Sequence, residues 1–184
     1  MNVLADKFKS SAKELKKTQS LSICAMMLAL RVVCGALENT GLGVMSFAKI
    51  PLNFLPVAIV AILFGPMCAM IINGLGDILS FIIVPMGYYF PGWTLNAVLI
   101  GLMYGIFIYR SKHFVLNVII CEILIALLIE IPLGTLWLHL TYGKAFWITA
   151  SARGIVTLIS APIETLVIIF VMNILKKTPS IKIN

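Results

Sequence analysis

Residues 114–138 read FVLNVIICEILIALLIEIPLGTLWL, a stretch of 25 residues that contains only two charged side chains. The hydrocarbon core of a bilayer is about 30 Å thick, and an α-helix needs about 20 mainly apolar residues to cross it. This segment is therefore long and apolar enough to span a membrane as a helix. Comparable apolar runs recur along the rest of the chain, so the fold must be explained with the bilayer as solvent.

The composition agrees with an integral membrane protein. Of 184 residues, 61% are hydrophobic and 11% charged, and the mean hydropathy is +1.07. Ordinary globular domains are about 45–50% apolar. Backbone groups in lipid must be hydrogen-bonded within the protein, and the runs lack the alternating pattern of barrel strands. The sequence predicts an all-α membrane protein.

The apolar runs predict a bundle of six transmembrane helices within residues 19–175. Their predicted bounds are 19–37, 49–64, 66–84, 93–110, 114–138 and 146–175. Gly65-Pro66 indicates a tight turn between the second and third helices, because Pro suits a first helical turn but not a helix interior. Residues 1–18 precede this domain and residues 176–184 form a short tail.

Cationic residues predict the orientation. With six helices, both termini share one side with the turns after the second and fourth helices. Ten cations fall on that side, namely Lys7, Lys9, Lys13, Lys16, Lys17, Arg110, Lys112, Lys176, Lys177 and Lys182. Only Lys49 and Lys144 fall on the other. The positive-inside rule then makes both termini cytoplasmic and turns loops 38–48, 85–92 and 139–145 outward. The net charge of +7 reflects topology, and no nucleic-acid binding is predicted.

The basic segment 1–18 has apolar positions at helical spacing, which predicts an amphipathic helix on the membrane surface. It either contacts lipid or a partner, or acts only as an orienting tail. The four cysteines lie inside apolar runs without CxxC spacing, so neither a disulfide nor a metal site is predicted. No cofactor is expected.

Six ionisable residues fall inside the predicted helices. They are Arg31, Asp77, Glu122, Glu130, Arg153 and Glu164. Each costs at least a few kcal/mol in a bilayer unless it is paired or hydrated, so buried charges indicate a functional interior. Arg31, Asp77, Glu130 and Arg153 fall at similar depth under the outward loops and predict a ligand pocket, although pairing that merely pins the bundle is an alternative. Glu122 and Glu164 lie deeper and are interpreted as packing residues.

Two outward loops suit such a pocket. Residues 85–93, PMGYYFPGW, hold four aromatics between Pro-Gly-type breaks, and we assign Tyr89 and Trp93 to the pocket. The alternative is an interfacial aromatic belt, which we prefer for Trp147. Residues 38–46 have the glycines of a movable lid. On the first helix, Arg31 and Glu38 share one stripe, and Ala25 and Ala29 lie on the opposite stripe at a spacing that permits close helix approach.

These features together resemble the substrate-binding S components of energy-coupling factor (ECF) vitamin transporters. The general likeness rests on six helices in under 200 residues and on Ala25 and Ala29. The likeness to the folate-specific type rests on Phe64-Gly65-Pro66, Gly76-Asp77 and the run YFPGWTL at 89–95. The resemblance covers nearly the whole chain.

The resemblance implies high-affinity capture of folate outside a bacterial plasma membrane and delivery through an ATP-driven complex. The implied partners are the coupling subunit EcfT, which would face Ala25 and Ala29, and two ATPase subunits. This chain has no GxxxxGK[ST] phosphate loop, so ATP hydrolysis would belong to those subunits.

Folate chemistry suggests roles for the candidate residues. Asp77 or Glu130 could accept hydrogen bonds from the pterin edge, and Arg31 or Arg153 could clamp the glutamate tail with forked bonds. Stacking could come from Tyr89, Trp93 or Trp137, and Asn96 could add a neutral contact. Glu38 completes the candidate set.

Two other interpretations remain open at this stage. The same architecture could bind thiamine, riboflavin or biotin, although two arginines favour an anionic ligand over cationic thiamine. An intramembrane enzyme is the less favoured alternative, because the sequence has no HExxH or GxSxG motif and His113 and His139 fall at opposite membrane faces.

Overall fold

The computed structural model describes residues 2–40, 52–85, 87–111 and 113–177. Within these ranges all regular structure is helical. The helices are α1 (Asn2–Glu14), α2 (Thr18–Asn39), α3 (Phe54–Phe64), α4 (Pro66–Ile83), α5 (Pro91–Ile108), α6 (Phe114–Ile125), α7 (Pro132–Tyr142) and α8 (Phe146–Lys177), with a π-helical turn at Ala126–Glu130 between α6 and α7. The prediction of an all-helical membrane protein is confirmed.

Five helical segments in the described part of the chain are long and apolar enough to cross a membrane. They are α2, α4, α5, the stretch Phe114–Tyr142 and α8. The remaining apolar helix, α3, has 11 residues, which rise about 16 Å along its axis. The sequence predicted a helix from 49, but residues 52 and 53 form a turn before α3 and residues 41–51 lie outside the described ranges.

The predicted fifth helix differs most from the structure. It is interrupted by the π-helical turn, in which Ile131 N donates to Ala126 O at 3.1 Å. Pro132 follows and has no N–H to continue the α-helical ladder, which a wider turn accommodates. The helix then continues to Tyr142, so the predicted loop at 139–145 is shortened to 143–145. Gly143 ends α7 with φ of +63°.

The core of the bundle surrounds α3. Val57, Val60 and Ala61 are completely buried, and α3 packs against α2, α4, α5 and α8. A helix that is apolar on all sides is suited to a position enclosed by other helices. The short helix thus provides the centre against which the longer spans are arranged.

The closest helix pair is α4 and α5. A Cβ atom on Gly101 would lie 2.6 Å from Ala69 O, and one on Gly105 would lie 2.2 Å from Pro66 Cα. The segment Gly101–Gly105 therefore has the small-xxx-small spacing that lets membrane helices approach backbone to backbone. This close contact holds Asp77 of α4 and the first turns of α5 in a defined relation.

Helix α1 packs across the ends of α4 and α5. Ser11 is fully buried, and its Oγ accepts hydrogen bonds from Met67 N at 3.0 Å and Cys68 N at 3.4 Å. Lys7 Nζ donates to Ile106 O at 2.7 Å. A hydroxyl at the N-terminus of α4 and a cation at the C-terminus of α5 satisfy the unpaired groups that helix ends leave. Helix α1 is thus attached to the bundle.

The junction of α1 and α2 is closed by a small polar cluster. Glu14 accepts from Lys17 Nζ at 2.7 Å and from Ser20 Oγ at 2.8 Å. The bond from Lys17 is the main reason why the pKa of Glu14 lies below its usual range, and the bond from Ser20 adds to it. Glu14 is therefore ionised at neutral pH, and the cluster is formed there.

Candidate ligand-binding site

Two adjoining chambers open at the end of the bundle where α2 and α4 end and α5 and α8 begin. The outer chamber has a volume of about 550 Å³ and the inner one about 180 Å³. They share the lining residues Arg31, Asn53, Asp77, Trp93 and Arg153. A ligand cavity in proteins is typically about 300–1,000 Å³, so the two chambers together have the size of a small-molecule site.

The structure brings most of the predicted site residues to these chambers. Arg31, Asp77, Trp93 and Arg153 line both, Glu38 and Tyr89 line the outer one, and Asn96 and Glu130 line the inner one. The four charged residues that were predicted to share a pocket all line the inner chamber. Trp137 lines neither chamber.

Trp137 lies behind the wall of the site. Its Nε1 donates to Asn96 Oδ1 at 3.0 Å, and its ring packs on Phe90 at a centroid distance of 5.3 Å. A Cβ atom on Gly92 would come within 2.7 Å of this indole. The tryptophan therefore supports the first turn of α5 and orients Asn96 from outside the cavity.

Arg31 is held in a narrow slot between α2 and α4. The side chain is 4% exposed, and its Nε donates to Asn73 Oδ1 at 2.9 Å. Cβ atoms on Gly35 and Gly76 would lie 2.6 Å from Nη1 and 2.5 Å from Cγ of this arginine. No carboxylate in the described ranges pairs with it within 4 Å.

Arg153 is attached in a similar way on the opposite side of the site. Its Nε donates to the backbone oxygen of Glu130 at 3.1 Å, and its Cζ lies 5.9 Å from the centre of the Trp93 ring, which is a cation–π distance. A Cβ on Gly134 would lie 2.6 Å from Nη2. The π-helical turn ends at Glu130, so it helps to present this carbonyl to α8.

The two guanidinium groups thus use only Nε for protein acceptors. Among the residues that the structure describes, neither forms an ion pair, and neither Nη group donates to a protein atom. A guanidinium fork with free Nη donors matches the geometry of a carboxylate. The site can therefore bind an anionic group with two forks.

A relay of polar side chains orients Asp77. Thr94 Oγ1 donates to Asp77 Oδ2 at 2.8 Å. A threonine hydroxyl has one hydrogen, so the 2.8 Å contact between Tyr89 OH and Thr94 Oγ1 has Tyr89 as donor. The Tyr89 ring also packs on Phe81 at 5.3 Å. This arrangement leaves the other carboxylate oxygen of Asp77 as an acceptor for a ligand.

Glu130 and Glu38 are held by neighbouring polar groups. Thr157 Oγ1 donates to Glu130 Oε2 at 3.1 Å. Glu38 accepts from Asn53 N at 3.2 Å and from Asn53 Nδ2 at 2.7 Å, which ties the end of α2 to the turn before α3. Of the predicted lid at 38–46, residues 41–46 lie outside the described part of the chain.

The deeper carboxylates differ from each other. Glu164 lines the inner chamber, whereas its depth in the sequence predicted a packing residue. Glu122 lines neither chamber and accepts from Tyr104 OH at 2.9 Å, as expected for a packing residue. Both are buried.

Several neutral residues line the chambers without having been predicted from the sequence, including Asn53, Asn73, Ser80 and Tyr104. Asn73 precedes Asp77 by one helical turn, so the helical period places the two on one face of α4. That spacing was the available signal for Asn73. Asn53 had no comparable signal, because its position depends on the path of the chain before α3.

In the described part of the chain, apolar helices thus surround a polar cavity of ligand size, an arrangement that suits a membrane-embedded binding protein. The family of the ECF transporter substrate-specific component matches residues 19–176 of this chain. The folate transporter FolT of Clostridium novyi (strain NT) is 32% identical over 154 residues, which cover 84% of this chain and 88% of that protein. FolT of Leuconostoc mesenteroides subsp. mesenteroides is 28% identical over 163 residues, covering 85% of each.

A solved structure shows the same similarity. The crystal structure of FolT bound with folic acid aligns with a TM-score of 0.72 and 31% identity, covering 85% of this chain and 94% of that chain. The chain belongs to the family of substrate-specific components of ECF transporters. The resemblance noted in the sequence is thereby confirmed, and because members are transporter components, the chain is not an enzyme.

Proposed function

We propose that this chain captures folate at the outer face of a bacterial plasma membrane and delivers it through an ECF transporter complex. The family membership supports a role in substrate binding. The relatives named as folate transporters, and the similar structure that holds folic acid, support folate as the substrate.

One observation in the site carries the proposal for an anionic ligand. Arg31 and Arg153 line one cavity, and their Nη groups have no protein acceptor among the described residues. A buried cation without an anionic partner is costly in a membrane. The glutamate tail of folate carries two carboxylates that would supply those partners.

The same cavity offers complementary groups for the pterin ring. Asp77 and Glu130 are the candidate acceptors for its donor edge, and Trp93 and Tyr89 are the candidate stacking residues. We propose that the ring enters the inner chamber, where three carboxylates gather, and that the tail extends toward the outer chamber, which is also lined by Lys144.

The proposed topology has six spans with both termini in the cytoplasm. The excess of cations at one end of the bundle supports this orientation. The outer chamber lies at the opposite end, beside residues 87–91 and 143–145, so it would open to the outside. The short helix α3 would be the sixth membrane element, enclosed by the other five.

We further propose that Ala25 and Ala29 form the docking stripe for the coupling subunit EcfT, which acts with two ATPase subunits. Both alanines are exposed on α2, whereas Arg31 on the same helix is buried in the site. One face of α2 could therefore contact a partner helix while the other contacts the ligand.

Titration of folate into the detergent-purified chain tests the ligand assignment. We expect quenching of tryptophan fluorescence, because Trp93 lines both chambers, with saturation at nanomolar concentrations. Riboflavin, biotin and thiamine serve as competitors and should not displace folate. A protein that ignores folate and responds to one of these vitamins would contradict the proposal.

A further inference from the structure

We propose that Asn73 determines the preference of the site for ligands with an anionic end. Its amide positions the Arg31 side chain and leaves the positive charge of the guanidinium unpaired. This inference rests on the proposed binding of folate. It concerns a residue of α4 whose side chain lines the inner chamber and is 5% exposed.

The hydrogen bonds of Asn73 define its orientation. Its Oδ1 accepts from Arg31 Nε at 2.9 Å, and its Nδ2 donates to Ala97 O at 2.7 Å. A guanidinium can only donate and a carbonyl can only accept, so the amide has a single orientation that satisfies both neighbours. Asn73 thereby connects α2, α4 and α5 at the depth of the ligand.

The surrounding glycines leave Arg31 little freedom. Gly35 and Gly76 have no room for a Cβ next to this side chain, since a Cβ there would approach it to 2.6 Å and 2.5 Å. The stem of the arginine is confined in this slot, and its Nε is occupied by Asn73. Only the Nη donors remain to contact a ligand.

The acceptor of the Arg31 Nε bond, the amide oxygen of Asn73, carries no charge. An aspartate at position 73 would offer a carboxylate to the same Nε, and the resulting ion pair would compete with the ligand for Arg31. An amide satisfies Nε and leaves the positive charge available. Arg153 is held by the same principle, because its Nε bonds to the neutral backbone oxygen of Glu130.

The test compares two probes, folate and 6-hydroxymethylpterin, which has the ring and no carboxylate. For Asn73→Asp we expect the Kd of folate to rise by roughly tenfold to a hundredfold, as for loss of a charged hydrogen bond. The Kd of the tail-free pterin should rise by a smaller factor, so the ratio of the two Kd values should increase. For Asn73→Ala, which adds no charge but releases Nε, a smaller selective rise of roughly three- to tenfold is expected.

Asn117 provides a matched control. It is also an asparagine between α6 and α5, donating to Phe107 O at 3.2 Å and to Ser111 Oγ at 2.7 Å, and it lines neither chamber. Asn117→Asp should leave the ratio of the two Kd values unchanged.

The outcomes separate this inference from the proposed function. If the unsubstituted chain does not bind folate, the proposed function fails and this inference fails with it. If that chain binds folate but both Asn73 variants keep the Kd ratio, or weaken both probes equally, only the role of Asn73 is overturned. Should Asn73→Asp not fold, the ratio measured for Asn73→Ala decides alone.

Discussion

At the scale of single residues, Arg31 and Arg153 share one mode of attachment. Each donates Nε to a neutral oxygen, lies against a glycine that leaves no room for a Cβ, and lines both chambers of the cavity. The arrangement keeps two positive charges in a membrane interior. The free-energy cost of burying these charges falls when an anion binds to them. Folate binding should therefore depend on both forks.

Replacement of either arginine should be selective for the tail. For Arg31→Ala and Arg153→Ala we expect the Kd of folate to rise by about tenfold to a hundredfold, with a much smaller rise for 6-hydroxymethylpterin. Isothermal titration calorimetry measures both. Arg110→Ala is the control, because Arg110 is exposed at the far end of α5 and bonds to Ser10. Equal losses for the two ligands would assign the arginines to the scaffold.

The acceptor of the pterin edge can be identified by neutral isosteres. Asp77→Asn and Glu130→Gln remove the charge and keep the shape, and the acceptor of the ring should be the one whose replacement raises the Kd of folate and of tail-free pterin alike, by about tenfold. Thr94→Val serves as a comparison for Asp77, since it removes only the orienting bond. If neither isostere affects the tail-free pterin, the ring lies elsewhere.

At the scale of helices, the π-helical turn at Ala126–Glu130 sets the position of the end of the fifth span. The turn holds one residue more than an α-helical turn does. The residues from Pro132 onward therefore have a different register relative to α6 than an uninterrupted α-helix would give them. It presents Glu130 to Arg153 and Thr157 of α8 through its carbonyl and its carboxylate. The irregularity thus belongs to the construction of the site.

Deletion of Leu128 tests the turn. Removing one residue takes away the extra residue that the turn holds, so Glu130 should lose its present register with Arg153 and Thr157 of α8. We expect folate affinity to fall by at least about tenfold while helical content in circular dichroism is kept. Leu128→Ala is the matched control, because Leu128 is 57% exposed and the residue count is unchanged. Retained affinity in the deletion variant would show the turn to be dispensable.

Helix α1 is a second element with a defined task, since Ser11 caps α4 from outside that helix. Loss of such a cap costs about 0.5–2 kcal/mol, so Ser11→Ala should lower the melting temperature in detergent. Folate affinity should not change, because Ser11 lies at the opposite end of α4 from the site. Ser22→Ala is the control, as Ser22 is exposed and bonds only within α2. A melting temperature equal to that of the control would contradict the capping role.

At the scale of the whole molecule, α2 presents two different faces, and the proposed function assigns ligand binding to one and partner binding to the other. Arg31 is enclosed by α4, whereas Ala25 and Ala29 are exposed on the surface of the bundle. Such a division allows a binding component to be loaded before or after it meets its coupling subunit.

Bulky residues on the exposed face should affect assembly alone. Ala25→Leu with Ala29→Leu should reduce co-purification with EcfT and the ATPase subunits, because close helix approach requires small side chains. The Kd of folate should stay within about twofold, since the substituted positions point away from the cavity. Ala152→Leu, at an exposed alanine of α8, is the control. Loss of folate binding in the double variant would count against the stripe.

The helical membrane class, the approximate spans and the charged residues within them could all be predicted from the sequence. These follow from local rules, because a bilayer demands apolar helices of a given length and makes each buried charge conspicuous. The family likeness was also readable from contiguous motifs such as YFPGWTL at 89–95.

Which side chains meet could not be predicted in the same way, because it depends on how the helices pack. A helix turns by about 100° per residue, so a shift of one residue moves a side chain to another face, and the π-helical turn before Pro132 has no local sequence signal strong enough to predict it. Trp137 was therefore assigned to the cavity but lies behind its wall, whereas Asn73 and Asn53 were missed and line it. Contacts between helices depend on packing across the whole bundle, which no single segment encodes.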